Sequence, residues 1–472
     1  MAHRYDLVIV GMGSGGMIGA EFAATIGVHT AVVERARVGG DCLWTGCVPS
    51  KSLLASAKAA HVMREADKYG LPSVVPEIDT ELVWKRIRAI QHDVAATDDD
   101  PARYEAMGVE LLRGTARLTG PHRLEVDGRP IESRFILLCT GSRPAVPRIE
   151  GLADAGYLTS ENLFELERAP GSMVMIGGGP VAIEMAQALT RLGIRTTVLQ
   201  KGPAILPRDE PELVEVLTAK LVSEGVDLRV NVDTQRVTVE GGTKVVHGKQ
   251  DGTPTSWQGE ELLVAVGRRP NVEGLGLEAV GVKTRPRGVL VDDRMRTNVR
   301  SIYACGDVAG RFLFTHSAGY EAARAIRDMF FPGKGRVRQS VPWCTFTDPE
   351  LAHAGMRIAE AEERFGDEVD VWRLDLSHSD RARADSASEG SVIIVTAKRQ
   401  RVVGAHILAP AAGEMIHELA LAIVEELKLN QIASLVHVYP TISTSIGQLA
   451  GEAAFEGARR LRWLVRKERH TH

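Results

Sequence analysis

Residues 5–10, YDLVIV, form a short apolar run rich in β-branched side chains and closed by Gly11. Such a run predicts a buried parallel strand. MIGAEFAATIG (17–27) then mixes apolar and small residues at helical spacing, and HTAVVE (29–34) predicts a second strand. The order strand, glycine turn, helix, strand recurs once, in SMVMIGGGPVAIEMAQALTRLGIRTTVLQKG, where the second strand ends near Gln200. VPSKSLLASAKAA (48–60) predicts a helix with Pro49 in its first turn, and THSAGYEAARAIRDMF (315–330) predicts another. The acid run ATDDDPARYEAMGVE (96–110) reads as a solvated helix start and loop without chemistry. No run of about 18 apolar residues occurs, so no membrane-spanning helix is expected.

A chain of 472 residues suggests about three domains. With 57 basic and 61 acidic residues the net charge is −4, which supplies no basic field for nucleic acid or an anionic membrane. Five cysteines do not make a disulfide framework in a chain this long. MAHRYDLVIVGMG lacks a signal-peptide layout, so a cytoplasmic location is expected. In a reducing compartment a close cysteine pair points to catalysis or metal binding.

The first turn, Gly11-Met12-Gly13-Ser14-Gly15-Gly16, fits G-x-G-x-x-G. Gly11 permits the turn, Gly13 lets backbone approach a pyrophosphate, and Gly16 allows close helix–strand packing. The helix N-terminus offers unpaired N–H groups to phosphate. Glu34, 23 positions after Gly11, is placed to accept from ribose hydroxyls. In the second unit Gly177, Gly179 and Ala182 repeat the spacing, but the acid position holds Gln200, followed by Lys201. A carboxylate there would repel a 2′-phosphate. Gln200 with Lys201 tolerates one, so this site favours NADPH, with NADH possible. Two dinucleotide sites imply two dinucleotides, and a flavin with a nicotinamide is the usual pair.

Between these units lies GGDCLWTGCVPSK (39–51), with Cys42 and Cys47 four residues apart. A structural disulfide, half of a metal site and a redox dithiol are the readings open to such a pair. No second C-x-x-C or H-x-x-x-H accompanies it, so no metal site is expected. With this string the sequence resembles the FAD-dependent pyridine nucleotide–disulfide oxidoreductases, the family of dihydrolipoamide dehydrogenase, glutathione reductase and mercuric reductase. FILLCTGSRPAVP (135–147), with Gly141, resembles the exit from the FAD domain, and LLVAVGRRPN (262–271) the return from the nicotinamide domain. IYACGDVAG (302–310) resembles the second FAD motif, and VPWCTFTDPELAHAG (341–355) the entry to the interface domain.

The resemblance implies an α/β fold: two Rossmann-like dinucleotide-binding domains plus a C-terminal α+β dimerisation domain. The FAD domain would take residues 1–149 and 268–338, the NAD(P) domain 150–267, and the interface domain 339–472. It also implies a homodimer and a small-molecule electron acceptor. Asp307 would bind flavin ribityl hydroxyls. Cys47 would lie against the flavin and Cys42 would face the substrate, with electrons passing from NADPH through FAD to the Cys42–Cys47 disulfide. Lys51 and Glu184 would form an ion pair near the flavin. Cys139, Cys305 and Cys344 read as small buried hydrophobes.

One segment departs from the family pattern. Disulfide reductases carry a His-Pro near the C-terminus with a Glu five residues after the His. Here, in LVHVYPTISTSIG (435–447), Tyr439 stands at the base position and Thr444 at the Glu position. Tyrosine, with a reference pKa near ~10, is a poor base at neutral pH. His437 is the other candidate. The C-terminal cysteine pair of mercuric reductase is also missing, since no cysteine follows Cys344. Three functions stay open: a reductase that works through its dithiol on a disulfide, soft metal ion or small electrophile; a quinone or diaphorase-type reductase, or transhydrogenase, that uses flavin directly; and a non-catalytic flavin-bound redox sensor.

Overall fold

The computed structural model describes residues 4–333, 336–337, 340–460 and 462–464. The described residues divide into two compact units. One lies within Met1–Ala60, Pro76–Pro203 and Val226–Gln339, the other within His61–Val75, Ala204–Gly225 and Ser340–His472. The expected domain boundary at 338 lies outside the described residues.

The first unit is built on the apolar runs. Arg4–Val10 pairs in parallel with Thr30–Glu34 on one side and Arg129–Leu138 on the other, with Val8 opposite Ala31 and Ile136. Glu110–Arg113 extends the sheet beyond Thr30–Glu34, and Ile302–Ala304 adds a parallel strand to Arg129–Leu138. Leu7, Val8 and Ile9 are fully buried in the core of this unit, as expected of a central parallel strand. The helix expected from residue 17 starts earlier, at Ser14, and runs to Thr25. Gly15 and Gly16 read as loop from propensity alone. Their lack of side chains instead lets the first helical turn lie against its surroundings. A Cβ on Gly16 would fall 2.0 Å from the Gly11 carbonyl oxygen. A Cβ on Gly15 would stand 3.3 Å from Cys305 Sγ and 3.4 Å from the carbonyl oxygen of Ala318, on the crossing helix Thr315–Phe330.

A second parallel sheet in this unit has the strand order Asp227–Arg229, Arg195–Leu199, Ser172–Ile176, Glu261–Val264. In chain order that is 3-2-1-4, the doubly wound order. Helix Pro180–Arg191 follows its first strand. Val232–Glu240, Thr243–Gln250 and Thr253–Gly259 form a separate antiparallel meander.

The second unit holds an antiparallel sheet ordered Trp343–Thr345, Glu350–Gly355, Arg401–Ala409, Ser391–Ala397, Val369–Asp375. Helices Ala412–Val424 and Thr444–Arg460 belong to it, and its core includes Val392, Ile394, Ile407, Leu419 and Leu449. Among the described residues no helix is long and apolar enough to cross a membrane.

Candidate active site

The cysteine string folds directly onto the first glycine turn. A Cβ on Gly40, whose φ is +55°, would fall 2.8 Å from Gly13 Cα, and Gly39 N–H donates to the Met12 carbonyl. Only glycine fits so close a backbone crossing. It carries Cys42, in the short helix Gly40–Trp44, to the rim of the turn. Trp44, between the two cysteines, donates its indole N–H to the Val38 carbonyl and lies 4.1 Å beneath the Arg37 guanidinium. Buried Gln91 donates to the carbonyls of Leu43 and Trp44. The segment is therefore held from both sides.

Cys47 is the first residue of helix Cys47–Arg64, one position before the expected start. Both thiols are free and half-buried. Cys42 donates to Cys47, which pulls the Cys47 pKa down to about 6; Thr315 and the charge of Lys51 act in the same direction against burial. The Cys42 thiol is pushed up by the same hydrogen bond and by burial. Cys47 is thus the thiolate of the pair. Thr315 Oγ1 stands 3.3 Å from Cys47 Sγ at the start of its own helix. Sequence reading placed that helix but not its hydroxyl, because the contact spans 268 residues.

Lys51 and Glu184 meet: Nζ lies 2.8 Å from Oε2, with the Glu184 side chain nearly buried. Glu184 is the fifth residue of Pro180–Arg191, so the ion pair joins the helix that starts at Cys47 to the helix that follows the second nucleotide turn.

The two glycine turns hold their acid positions in the same way. Glu34 Oε2 accepts from Met12 N–H at 2.6 Å, and Oε1 accepts from Ala36 N–H. Gln200 Oε1 accepts from Gly178 N–H at 3.0 Å. Each bond goes to the residue after the first glycine, Gly11 (φ +99°) or Gly177 (φ +115°). Gln200 preserves the hydrogen bond and removes the charge. Gly13 and Gly179 cap their helices in extended conformation. Nothing lies within 4 Å of a Cβ built on Gly179, which leaves room for a phosphate. Lys201 is exposed beside this turn.

Across the first sheet, Ser142 Oγ donates to Asp307 Oδ2 at 2.5 Å, and burial raises the Asp307 pKa. Gly141, just before Ser142, takes φ +66° and accepts from Asn271 N–H. Arg268 donates to Ser142 Oγ at 2.6 Å, pairs with Asp41 and stands 3.5 Å from Asp307. Asp41 precedes Cys42, so Arg268 ties the redox string to the Asp307 turn. Neither Arg268 nor Ser142 carried a signal in sequence beyond its motif.

The chain matches the model of the pyridine nucleotide-disulphide oxidoreductases over residues 5–322, and that of their dimerisation domain over residues 341–450. It belongs to this family. It is 34% identical to a dihydrolipoyl dehydrogenase of Thermus scotoductus over 94% of this chain and 96% of that one. It is 31% identical to a mercuric reductase of Bacillus cereus over 94% of this chain and 70% of that one. A solved structure titled as the Cu(II) complex of the HOCl-induced flavoprotein disulfide reductase RclA of Escherichia coli superposes with a TM-score of 0.85 at 25% identity, covering 95% of this chain and 99% of that one. The protein is therefore a flavin-dependent NAD(P)H oxidoreductase of the disulfide-reductase type, with FAD and NAD(P)H as cofactors. The α/β architecture with two dinucleotide-binding parts and a dimerisation domain follows from the same membership.

In the dimerisation domain, the Tyr439 hydroxyl donates to Asp380 Oδ2 at 3.0 Å, and this bond raises its pKa. Tyr439 is 68% exposed. His437 is turned inward: Nε2 is 3.1 Å from Glu418 Oε1, and the ring packs so near Gly447 that a Cβ there would fall 2.5 Å from Nδ1. Thr444 Oγ1 donates to the Val438 carbonyl. Cys139 and Cys305 are buried as expected, whereas Cys344 is half-buried at the edge of its sheet.

Proposed function

We propose that this oxidoreductase carries electron pairs from NADPH to a small acceptor, a disulfide, a soft metal ion or a small electrophile, by way of the Cys42–Cys47 pair. The observation that carries this reading is the Cys47 thiolate, held by Cys42, Thr315 and Lys51 at a pKa of about 6. Flavin transfer alone needs no such thiolate. FAD, when bound, supplies a two-electron carrier between nicotinamide and sulfur. Gly11, Gly13, Gly16, Glu34, Gly141 and Asp307 are the residues we assign to it. Gly177, Gly179, Gln200 and Lys201 are those we assign to NADPH. The open Cβ space at Gly179 and the neutral Gln200 support the second assignment.

Two electrons open the Cys42–Cys47 disulfide, and each sulfur keeps one pair. Lys51, compensated by Glu184, and Thr315 steady the negative charge on Cys47. Cys42 takes up a proton and, once deprotonated again, attacks the acceptor. With a disulfide acceptor, one half leaves as a thiol and a mixed disulfide remains on Cys42. Cys47 then attacks Cys42 Sγ, the internal S–S bond re-forms, and the second half leaves. With a metal ion, the two thiolates bind it as soft ligands. Mercuric reductase and the Cu(II) complex of RclA among the relatives favour including metals.

Tyr439 is assigned to the acceptor side as a proton donor, supplied by the other subunit of a homodimer. Its raised pKa keeps it protonated at neutral pH, so it can donate but not serve as base. The inward-turned His437 argues against that residue in the role. The domains are assigned as 1–149 with 268–338 for FAD, 150–267 for NAD(P) and 339–472 for the interface, and the location as cytoplasmic. Anaerobic NADPH oxidation with lipoamide, oxidised glutathione, Hg(II) and a quinone tests the reading, with Cys42→Ser in parallel. Turnover of the best acceptor should collapse in Cys42→Ser. Undiminished turnover, with the quinone as best acceptor, would give the function to flavin alone.

A further inference from the structure

The two buried cysteines of the first unit are neighbours. Cys139 Sγ and Cys305 Sγ stand 3.3 Å apart. Each directly follows a strand, Arg129–Leu138 and Ile302–Ala304, and these pair in parallel with Ala304 opposite Leu138. Cys305 N–H donates to the Leu138 carbonyl, so the two cysteines continue the ladder side by side. Neighbouring strands lie ~4.8 Å apart, inside the ~4.4–6.8 Å that disulfides span between Cα atoms. A Cβ on Gly11 would fall 2.5 Å from the Cys139 carbonyl oxygen, and one on Gly15 would fall 3.3 Å from Cys305 Sγ. The pair therefore forms the floor of the first glycine turn. Gly141 and Ser142 lie just beyond Cys139, and Asp307 two residues beyond Cys305.

We propose that Cys139 and Cys305 are a second oxidisable dithiol, which closes to a disulfide beneath the first dinucleotide turn and locks the two strand ends that carry Ser142 and Asp307. With hydrogen peroxide as oxidant the step balances. Cys139, the more exposed at 9% against 1%, attacks one peroxide oxygen; the O–O bond breaks, one water leaves and a sulfenic acid remains. Cys305 Sγ then displaces the second water and the S–S bond forms. Two thiols have lost two electrons and two protons, and one peroxide has become two waters. The sulfurs need to approach by only about 1.2 Å to reach a disulfide bond length. The link closes a long chain loop, so it opposes separation of the strand ends. FAD leaves through that separation, on the reading that this cradle holds FAD, and oxidation slows its release.

The experiment uses FAD-loaded protein in which Cys42→Ser and Cys47→Ser silence the other pair, with native protein run alongside. Each is treated with hydrogen peroxide, capped with N-ethylmaleimide and digested for peptide mass spectrometry. FAD release into potassium bromide is followed by flavin fluorescence. The expected result is a peptide pair linked through Cys139 and Cys305, with FAD release slowed roughly threefold or more. Dithiothreitol should reverse both effects, and Cys139→Ala or Cys305→Ala should abolish both. Two cysteines that stay alkylatable after denaturation overturn the proposal, and so does a linked pair that leaves FAD release unchanged. Protein that binds no FAD would sink the cofactor assignment instead, while the linked peptide would still report on the dithiol.

Discussion

Cys47 shows how much one sulfur can be shaped by three neighbours. A free cysteine titrates near ~8.5, and burial alone would push it higher. The donated hydrogen bond from Cys42, the Thr315 hydroxyl and the Lys51 charge reverse that. The sign follows: above pH about 6 the reduced pair carries a thiolate on Cys47, and below it both sulfurs are thiols. Absorbance at 240 nm of the reduced protein should therefore rise through about pH 6. Thr315→Val removes one of the donors while keeping the shape. A hydrogen bond to a charged group contributes about 1.5–3 kcal/mol, so the midpoint should move up to roughly 7 or beyond. An unmoved midpoint would mean that Thr315 only fills space beside Cys47.

At the scale of elements, the two strand–turn–helix–strand units differ at one position that each uses in the same way. Glu34 and Gln200 both fasten the glycine turn through the N–H after its first glycine. Gln200→Glu should keep that bond, leave the fold intact and, on the proposed assignment of this turn to NADPH, add a charge beside the 2′-phosphate. The ratio of kcat/KM for NADPH over NADH should fall by roughly tenfold or more. An unchanged ratio would move the discrimination away from residue 200. The same units show what a sequence makes legible. Glycine spacing, the acid offset and the cysteine string are local patterns, and the structure places each beside its expected element. The helix Thr315–Phe330 coincides with its expected range. The contacts that complete the site are not local. Thr315 reaches Cys47, Arg268 reaches Asp41, and Glu418 claims His437 across separations that periodicity does not encode. The Cys139–Cys305 contact was hidden for the same reason. Two cysteines in separate apolar runs look like core until strand pairing sets them side by side.

On the scale of the whole molecule, the dimerisation domain leaves large apolar side chains in water. Val436 is 92% exposed and Val438 76% exposed, and Leu435 and Tyr439 flank them. Solitary exposed valines are ordinary, but a run of them beside an exposed tyrosine marks an interface. Residues 435–439 lie inside the segment matched to the family's dimerisation domain. The same run carries Tyr439, so on the role proposed for that residue assembly and acceptor chemistry share one stretch of chain. Val438→Asp would place a carboxylate in that contact, where an unpaired buried charge is strongly unfavourable. The variant should sediment as a monomer at concentrations where the native chain is a dimer. Because its dinucleotide turns lie in the other compact unit, it should retain FAD. Its turnover with the best acceptor should fall at least about tenfold, since a positioned proton donor typically contributes ~10²–10⁴ and residual catalysis needs none. A monomer that turns over its acceptor at the native rate would remove Tyr439 from the reaction and place everything needed for it within a single chain.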